Sequence, residues 1–461
     1  MKSKSAPVYI KNWETLTHHG NIGLREDAVD ILDHGLIAAD PYRATQELVS
    51  LKGDQLRVGN LSLDLRQYER VFVFGAGKAT LPIAQALEDI LGSRITGGLV
   101  VLKKGNSADL KQLQVIYGAH PVPDEEGHRG AQLMYQMAGE CTQKDLVLAV
   151  ITGGSSALLP LPAEGISLDD KKKVNQLLLF SGADIKQINT VRKHLSGIKG
   201  GWLAKQILPA TLVNLTVSDV IGDPLDYITG PSVADTSTFD DARQVMDEYE
   251  LWDQFPPSAA KYLREDGQNQ ETPKDFTGQP LHSFIVVESA AACLGAAKRA
   301  KALGYQSMIL STFLKGEAKD AGVFFASIAN EISLFDRPMA RPCVILAGGE
   351  NTVTIHGDYG IGGPNQEFAL GAGLEISGLE NVVIASIDTD GADGPTHMTG
   401  GMVDGSTLKT SKSLGMDLPK AIHKHNATPI LEQLCDAIFT GQTGTNINDL
   451  KLLLVSSTDS K

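Results

Sequence analysis

The sequence is short of several things, and each shortage excludes a class of protein. Cysteine is one: Cys141, Cys293, Cys343 and Cys435 stand far apart in 461 residues and form no C-x-x-C pair. That excludes a zinc knuckle, a dithiol redox motif and a disulfide-built scaffold, and it fits a reducing compartment, so the expected location is cytoplasmic. Long apolar runs are also missing, and nothing approaches the roughly 18 apolar residues that a membrane span requires. The first residues, Met1-Lys2-Ser3-Lys4-Ser5-Ala6-Pro7, carry charge without a following apolar core, so no secretory signal is expected. Base is outnumbered by acid, 41 Lys and Arg against 55 Asp and Glu, for a net charge of −14. A field of that sign repels nucleic acid and anionic membrane, so neither is an expected partner and any phosphate site has to be local. The remaining composition, 42% hydrophobic and 21% charged, is ordinary for a globular chain too long for a single core.

What the sequence does contain is five short apolar runs of strand character that each stop at a glycine- or aspartate-rich turn. Val71–Phe74 runs into Gly75-Ala76-Gly77-Lys78, Leu146–Ile151 into Thr152-Gly153-Gly154-Ser155-Ser156, and Leu212–Val217 into Ser218-Asp219-Val220-Ile221-Gly222-Asp223. Val344–Ala347 runs into Gly348-Gly349-Glu350-Asn351, and Val382–Ile387 into Asp388-Thr389-Asp390-Gly391-Ala392-Asp393-Gly394. In open α/β sheets, ligands bind beyond the carboxyl ends of parallel strands, where turns meet helix starts whose N–H groups attract anions. The pattern predicts a site at these turns and an anionic ligand in it.

Helical spacing of Ala28, Ile31, Leu32, Leu36 and Ile37 predicts a helix over about 24–50, and Leu81, Ile83, Ala84, Leu87 and Ile90 predict another after Lys78, followed by a strand at Gly98–Leu102. This strand–helix–strand rhythm is that of parallel βαβ units. The polar, proline- and glycine-punctuated stretch 256–280 reads as a linker, after which the rhythm restarts with strand Ser283–Val287, an alanine-rich helix at 289–303 and strand Ser307–Leu310. The expected organisation is an N-terminal Rossmann-like α/β domain over 1–255, a linker over 256–280 and a C-terminal α/β domain over 281–461.

The first turn resembles two familiar phosphate loops and satisfies neither. A dinucleotide fingerprint needs a third glycine where Thr80 stands and an acid at the end of the next strand, where Lys103 and Lys104 stand. A Walker A loop needs Ser or Thr after the lysine and a glycine six residues before it, where Ala79 and Phe72 stand. What survives is mechanical: Gly75 and Gly77 let backbone approach a ligand, and Lys78 sets a mobile positive charge beside it. The competing reading is a tight turn with a solvated lysine.

Thr152-Gly153-Gly154-Ser155-Ser156-Ala157 misses the G-x-S-x-G nucleophile elbow by its last residue. Ser155 as a nucleophile would need an acid and a histidine, nominally Asp390 with His397 or His423, and nothing orders them as a triad. A nest of backbone N–H groups with two hydroxyls suits phosphate or carboxylate oxygens better. Farther along, Asn189–Gly201 is a basic patch in an acidic chain. It reads either as a solvated helix face or as an anion clamp built on Arg192 and Lys199, since arginine offers a planar fork to carboxylate or phosphate. His194 in that patch reads as a structural, hydrogen-bonding histidine.

The acidic turns complement the basic ones. Asp219, Asp223, Asp388, Asp390 and Asp393 sit at strand ends, where carboxylates hold Mg²⁺ or take a proton from a substrate hydroxyl. The last three do not make an EF-hand, because Asp393 and Thr399 occupy the places of its glycine and its bidentate glutamate. Helix capping explains any one of these aspartates singly.

Taken in order, several blocks closely resemble the type II glycerate 2-kinases. They are Gly75-Ala76-Gly77-Lys78-Ala79, His120-Pro121-Val122-Pro123-Asp124, Thr152–Leu159, Asn189–Gly201, Ser218–Pro224, Gly230-Pro231 and Asp235–Phe239. Gly348-Gly349-Glu350, Gly363-Pro364-Asn365-Gln366-Glu367, Asp388–Pro395 and Thr443–Asp449 complete the series, which covers nearly the whole chain and includes a C-terminal MOFRL-type domain. The resemblance implies two α/β/α sandwich domains, the first Rossmann-like with a mainly parallel sheet, and an active site in the cleft between them. It implies transfer of the γ-phosphoryl of ATP, with Mg²⁺, to the 2-hydroxyl of D-glycerate. Lys78 matches the lysine that the family is thought to use in catalysis. Pro364 stands where many members have arginine, the family's other proposed catalytic cation, so that role falls to another cation such as Arg192 or Lys199 or is not needed.

The expected site joins Lys78, Asp219 and Asp390 as catalytic groups. Gly75, Gly77, Thr152, Gly153, Gly154, Ser155, Ser156, Arg192, Lys199, Asn365, Gln366 and Glu367 would bind substrate and phosphate, and Asp223 and Asp393 metal. Because some relatives of this kind carry the label hydroxypyruvate reductase, NAD(P)H-dependent reduction of hydroxypyruvate is the alternative, and the missing third glycine and ribose-binding acid speak against it.

Overall fold

The computed structural model describes residues 8–220, 222, 224–228, 230–265 and 271–457. The chain divides into two compact units, Pro41–Val286 and Met1–Asp40 together with Val287–Lys461. Both boundaries differ from the sequence-based expectation of 1–255, 256–280 and 281–461.

At the start of the chain, the apolar stripe expected over 24–50 forms two helices, Ile22–Ala38 and Pro41–Leu48, and the first belongs to the second unit. Ile22–Ala38 packs on the helix Ala291–Ala302. Glycines bring the two backbones together: a Cβ on Gly295 would collide with the Ala38 methyl, and one on Gly35 would stand 3.1 Å from the Ala292 carbonyl oxygen. In the stretch expected to be a linker, Pro257–Arg264 is a helix opened by proline in its first turn. Its Ala259, Ala260 and Leu263 join Phe239, Ala242 and Met246 in one apolar cluster. Polarity at this helix's exposed positions concealed a packed face.

The first unit opens with a small antiparallel sheet, β1 (Val49–Lys52), β2 (Gln55–Val58) and β3 (Leu61–Asp64). Its main sheet contains β4 (Arg70–Ala76), β5 (Gly97–Lys103), β6 (Gln114–Gly118), β7 (Asp145–Ile151), β8 (Thr211–Val217) and β9 (Leu281–Val287) in the order β6-β5-β4-β7-β8-β9. The pairs β4–β5, β5–β6, β4–β7 and β7–β8 are parallel. The chain builds outward from β4 on one side, then returns to start β7 on the other. The carboxyl ends of β4 and β7 therefore form the topological switch point of this sheet, where α/β folds place their ligands.

The second unit holds β10 (Gln306–Leu314), β11 (Cys343–Gly349), β12 (Val382–Asp388), β13 (Gly400–Asp404), β14 (Ala437–Ile438) and β15 (Asp449–Val455), ordered β10-β11-β15-β12-β13-β14. β15 runs antiparallel between β11 and β12. Its first residue, Asp449, consequently pairs with both Gly349 and Asp388, at the carboxyl ends of those strands. Every residue of β7, β11 and β15 is buried, as expected for central strands covered on both faces. All four cysteines are free, and burial raises the thiols of Cys141, Cys293 and Cys343 to about 11, about 12 and about 11, so these three are inert at neutral pH. Among the described residues no helix is long and apolar enough to cross a membrane.

Candidate functional site

At the switch point of the first sheet, the turns after β4 and β7 lock onto each other. The Lys78 N–H donates to the Gly153 carbonyl at 2.8 Å, the Thr152 N–H to the Ala76 carbonyl at 3.0 Å, and the Ala79 N–H to the Thr152 hydroxyl at 3.2 Å. Gly77, at a φ of +140°, makes this possible: a Cβ there would collide with the Thr152 hydroxyl and stand 2.7 Å from its carbonyl oxygen. Gly154, at a φ of +85°, keeps the surface of the second turn bare, so that a Cβ there would stand 3.2 Å from Lys78 Cγ and 3.3 Å from His120 Nε2. The Lys78 side chain thus passes directly over the Gly153–Gly154 backbone. Ser155 is buried behind it, with its N–H on the Thr152 carbonyl.

Asp219, after β8 on the neighbouring strand, feels the Lys78 charge. Burial dominates and pushes its carboxyl up to about 6, with Lys78 and a backbone N–H pulling the other way. Asp223, expected to bind metal, lies outside the described residues.

Next to the second turn is a group of buried cations. Lys199 donates from Nζ to the Ser156 hydroxyl at 2.6 Å. Lys171, from the helix Leu168–Phe180, reaches the Leu195 carbonyl at 3.3 Å, and the half-buried Arg192, from the helix Ile185–His194, leaves Nε buried without a hydrogen-bond partner. Burial first, and the other cations second, pull Lys199 down to about 7; burial and Arg192 do the same to Lys171. Burial alone lowers Arg192 to about 10. The nearby Lys193 differs, since Asp235 at 2.9 Å and Asp226 at 3.4 Å neutralise it. His194 is structural, as expected, bonded to the Thr190 carbonyl at 2.8 Å and to Glu271 at 2.9 Å.

The second unit gathers carboxylates. Asp388 is driven well above the usual carboxylate range by burial, then by Asp390, Asp449 and Asp393. Asp390 turns back on itself, its N–H on Asp388 Oδ1 and its own Oδ1 on the Ala392 N–H, both at 2.9 Å. Asp449 accepts from Lys451 Nζ at 2.6 Å and from Asn365 Nδ2 at 2.8 Å.

Asp393, expected as a metal ligand, is a helix cap. Its Oδ1 accepts from the N–H and the Nδ2 of Asn365 at 3.0 and 3.1 Å, and its Oδ2 from the Gln366 N–H at 3.0 Å, at the start of the helix Pro364–Glu375. Burial still pushes its carboxyl up to about 7. Gln366 is held by Thr396 at 3.0 Å and Thr428 at 2.6 Å, and Asn365 Oδ1 accepts from Ser386. Both side chains, placed by sequence in the substrate site, are occupied in fixing the Asp393 turn. Glu367 bonds His425 at 2.9 Å and leaves Oε2 buried without a partner.

Residues 27–264 match the family described as a domain of unknown function (DUF4147), and residues 343–449 match the MOFRL family. The chain is 42% identical to the glycerate 2-kinase of Pyrococcus horikoshii, over 94% of this chain and 98% of that one. It is 38% identical to a putative hydroxypyruvate reductase of Agrobacterium vitis, over 84% and 99%. Among solved structures, glycerate kinase from Thermotoga maritima superposes with a TM-score of 0.82 at 37% identity, covering 94% of this chain and 99% of that one. The chain belongs to the type II glycerate 2-kinase family.

Within a type II glycerate kinase fold, Pro364 has a local reason. It occupies the first turn of the helix Pro364–Glu375, where the fixed φ of proline suits a helix start and its missing N–H costs nothing. Sequence reasoning gave no role to three further charged residues: Lys171, and the Asp449–Lys451 pair. Lys171 had a readable signal: Ser167, Asp169 and Asp170 just before it are residues that open a helix, whose dipole disfavours a cation in the first turn. Asp449 closes the Thr443–Asp449 block, but its place was not legible, because only the antiparallel insertion of β15 carries it to the ends of β11 and β12.

Proposed function

We propose that this protein transfers the γ-phosphoryl group of ATP to the 2-hydroxyl of D-glycerate, with Mg²⁺, giving 2-phosphoglycerate and ADP. The observation that carries the reading, beside family membership, is the Lys78 side chain laid over a bare glycine turn at the switch point, within the field of an elevated Asp219. Phosphoryl transfer depends mainly on positioning and on stabilising charge on the transferred group, so it calls for cations and backbone donors.

In this proposal Lys78 contacts the transferring phosphate, and the Thr152–Ser156 turn presents backbone N–H groups and hydroxyls to its oxygens. Lys199 and Arg192 hold the remaining anionic charge. As the glycerate 2-oxygen bonds to the γ-phosphorus and the bond to the ADP oxygen breaks, the hydroxyl proton passes to Asp219, whose carboxyl near 6 is ionised yet basic enough to accept it at neutral pH.

Among the described residues no three His, Cys, Asp or Glu side chains are grouped to hold a metal ion. Mg²⁺ in such enzymes is commonly held by one or two carboxylates with the phosphates themselves, a demand that Asp390 beside Asp388 fits. The buried Asn351 adds an orphan oxygen, its Oδ1 unpartnered while its N–H lies 3.3 Å from Asp449 Oδ2. Bound there, the ion would supply charge neutralisation of phosphate oxygens.

Purified protein incubated with D-glycerate, ATP and Mg²⁺ should release ADP and yield a product that enolase consumes directly, which identifies 2-phosphoglycerate. NADH or NADPH consumption with hydroxypyruvate, without ADP release, would replace this reading by the reductase.

A further inference from the structure

Three cations, Lys171, Arg192 and Lys199, are gathered behind the Ser156 turn, and among the described residues none forms an ion pair. Lys171 is 4% exposed and Lys199 is 9% exposed. The charged groups that bear on Lys199 are Lys171, Arg192 and Lys193, all of its own sign, and only Lys193 is answered by carboxylates. Buried charge without a counter-charge strongly disfavours the folded state, and a cation in the first turn of a helix adds to this through the helix dipole. Lys171 does both: it follows the Ser167 cap and the acidic Asp169 and Asp170, and uses one carbonyl, at 3.3 Å, for an ammonium with three donors. Such an arrangement is retained where an anion completes it.

The geometry points to Lys171, with Lys199 and Arg192, as the subsite that binds the carboxylate of a small 2-hydroxy acid, and to Lys171 as a specificity-determining residue of the enzyme. This rests on the glycerate reading above. A carboxylate fits better than the triphosphate because the two lysines are buried, while the open, glycine-lined surface lies at Lys78. In a 2-hydroxy acid the carboxylate is bonded to the carbon that carries the reacting hydroxyl. The bond from Lys199 to Ser156 sets the cations at the edge of the very turn that faces the phosphate side.

The test compares the wild type with Lys171→Met and Lys171→Arg. For Lys171→Met the KM for D-glycerate should rise about tenfold to a hundredfold, the range of a lost charge-assisted hydrogen bond, with the KM for ATP unchanged and Lys171→Arg largely restored. D-glycerate alone, without nucleotide, should raise the melting temperature of the wild type but not of Lys171→Met, and glycerol, which lacks the carboxylate, should raise neither. Calorimetry of the wild type at pH 8 in buffers of different ionisation enthalpy should show proton uptake on glycerate binding, because burial leaves both lysines largely neutral there until an anion arrives; this arm needs no variant.

An unchanged glycerate KM, a change confined to ATP, or no proton uptake would overturn the carboxylate subsite while leaving the kinase reading in place. A glycerate-dependent melting shift that Lys171→Met abolishes, in a protein that never releases ADP, would uphold the subsite and overturn the kinase.

Discussion

The two units use the same device with opposite charge. In Pro41–Val286, strand-end turns and a nearby helix pair present Lys78, Lys171, Arg192 and Lys199, and the Asp219 carboxylate feels the charge of Lys78. In the second unit, strand-end turns present Asp388, Asp390, Asp393 and Asp449, and the cation on Asp449 is the wholly buried Lys451. Each unit carries charge that its own fold leaves incompletely neutralised, so each is built to be completed by something of the other sign. A net charge of −14 conceals this, because a sum over the chain averages away a local excess of cations.

The comparison can be broken most directly at Asp219, the proposed proton acceptor. Asp219→Asn should lower kcat about 10³-fold, the scale of lost general-base catalysis, with little change in either KM. A normal rate in that variant would leave the basic unit with binding duties only. Lys78→Ala should cost about 10²-fold in turnover, as for removal of one charge-stabilising donor, measured as ADP release at saturating substrate. Full activity would return Gly75–Lys78 to a plain turn.

On the acidic side, Asp390→Asn should raise the Mg²⁺ concentration for half-maximal rate by roughly tenfold, within the range that altered metal surroundings produce. A fall in rate that excess Mg²⁺ does not relieve would show that the acidic unit serves something other than the cation. Asp393→Asn should act on stability: an amide replaces one of the two accepting oxygens with a donor that faces the Gln366 N–H, at a cost of about 1–2 kcal/mol.

The pH dependence of the same variant sharpens the contrast. Burial raises the folded carboxyl of Asp393 from the 3.8 of an ordinary aspartate to about 7, so the folded state holds the extra proton in that interval. Its contribution to stability is complete below about 4 and is lost as pH rises through 7. The wild type should show that slope in its melting temperature, and Asp393→Asn should lack that part of it. Lysines depressed by burial have the opposite sign: Lys171 disfavours the folded state while charged, so the stability gained in Lys171→Met should shrink as pH rises from about 7 toward 10.

Much of this protein was determined by its sequence alone. The five strand-end turns are local features, and each expected strand is present, from Val71–Phe74 within Arg70–Ala76 to Val382–Ile387 within Val382–Asp388. Alternating apolar runs, glycine positions and helix spacing act over a few residues, which is why they are legible without a fold. The ordered blocks made the family legible as well, and the comparisons uphold it.

Tertiary structure decided what lies beside what. That β4 and β7 are neighbours, so that Gly77 meets Thr152, depends on sheet order. The terminal strand β15 carries Asp449 between β11 and β12, and Ile22–Ala38 packs with a helix more than 250 residues away through Gly35 and Gly295. Whether an aspartate is a cap or a ligand, as at Asp393, and whether a lysine is solvated or buried without a counter-charge, as at Lys171, follow from desolvation and partners. Both are set by residues distant in the chain, so no local pattern could supply them.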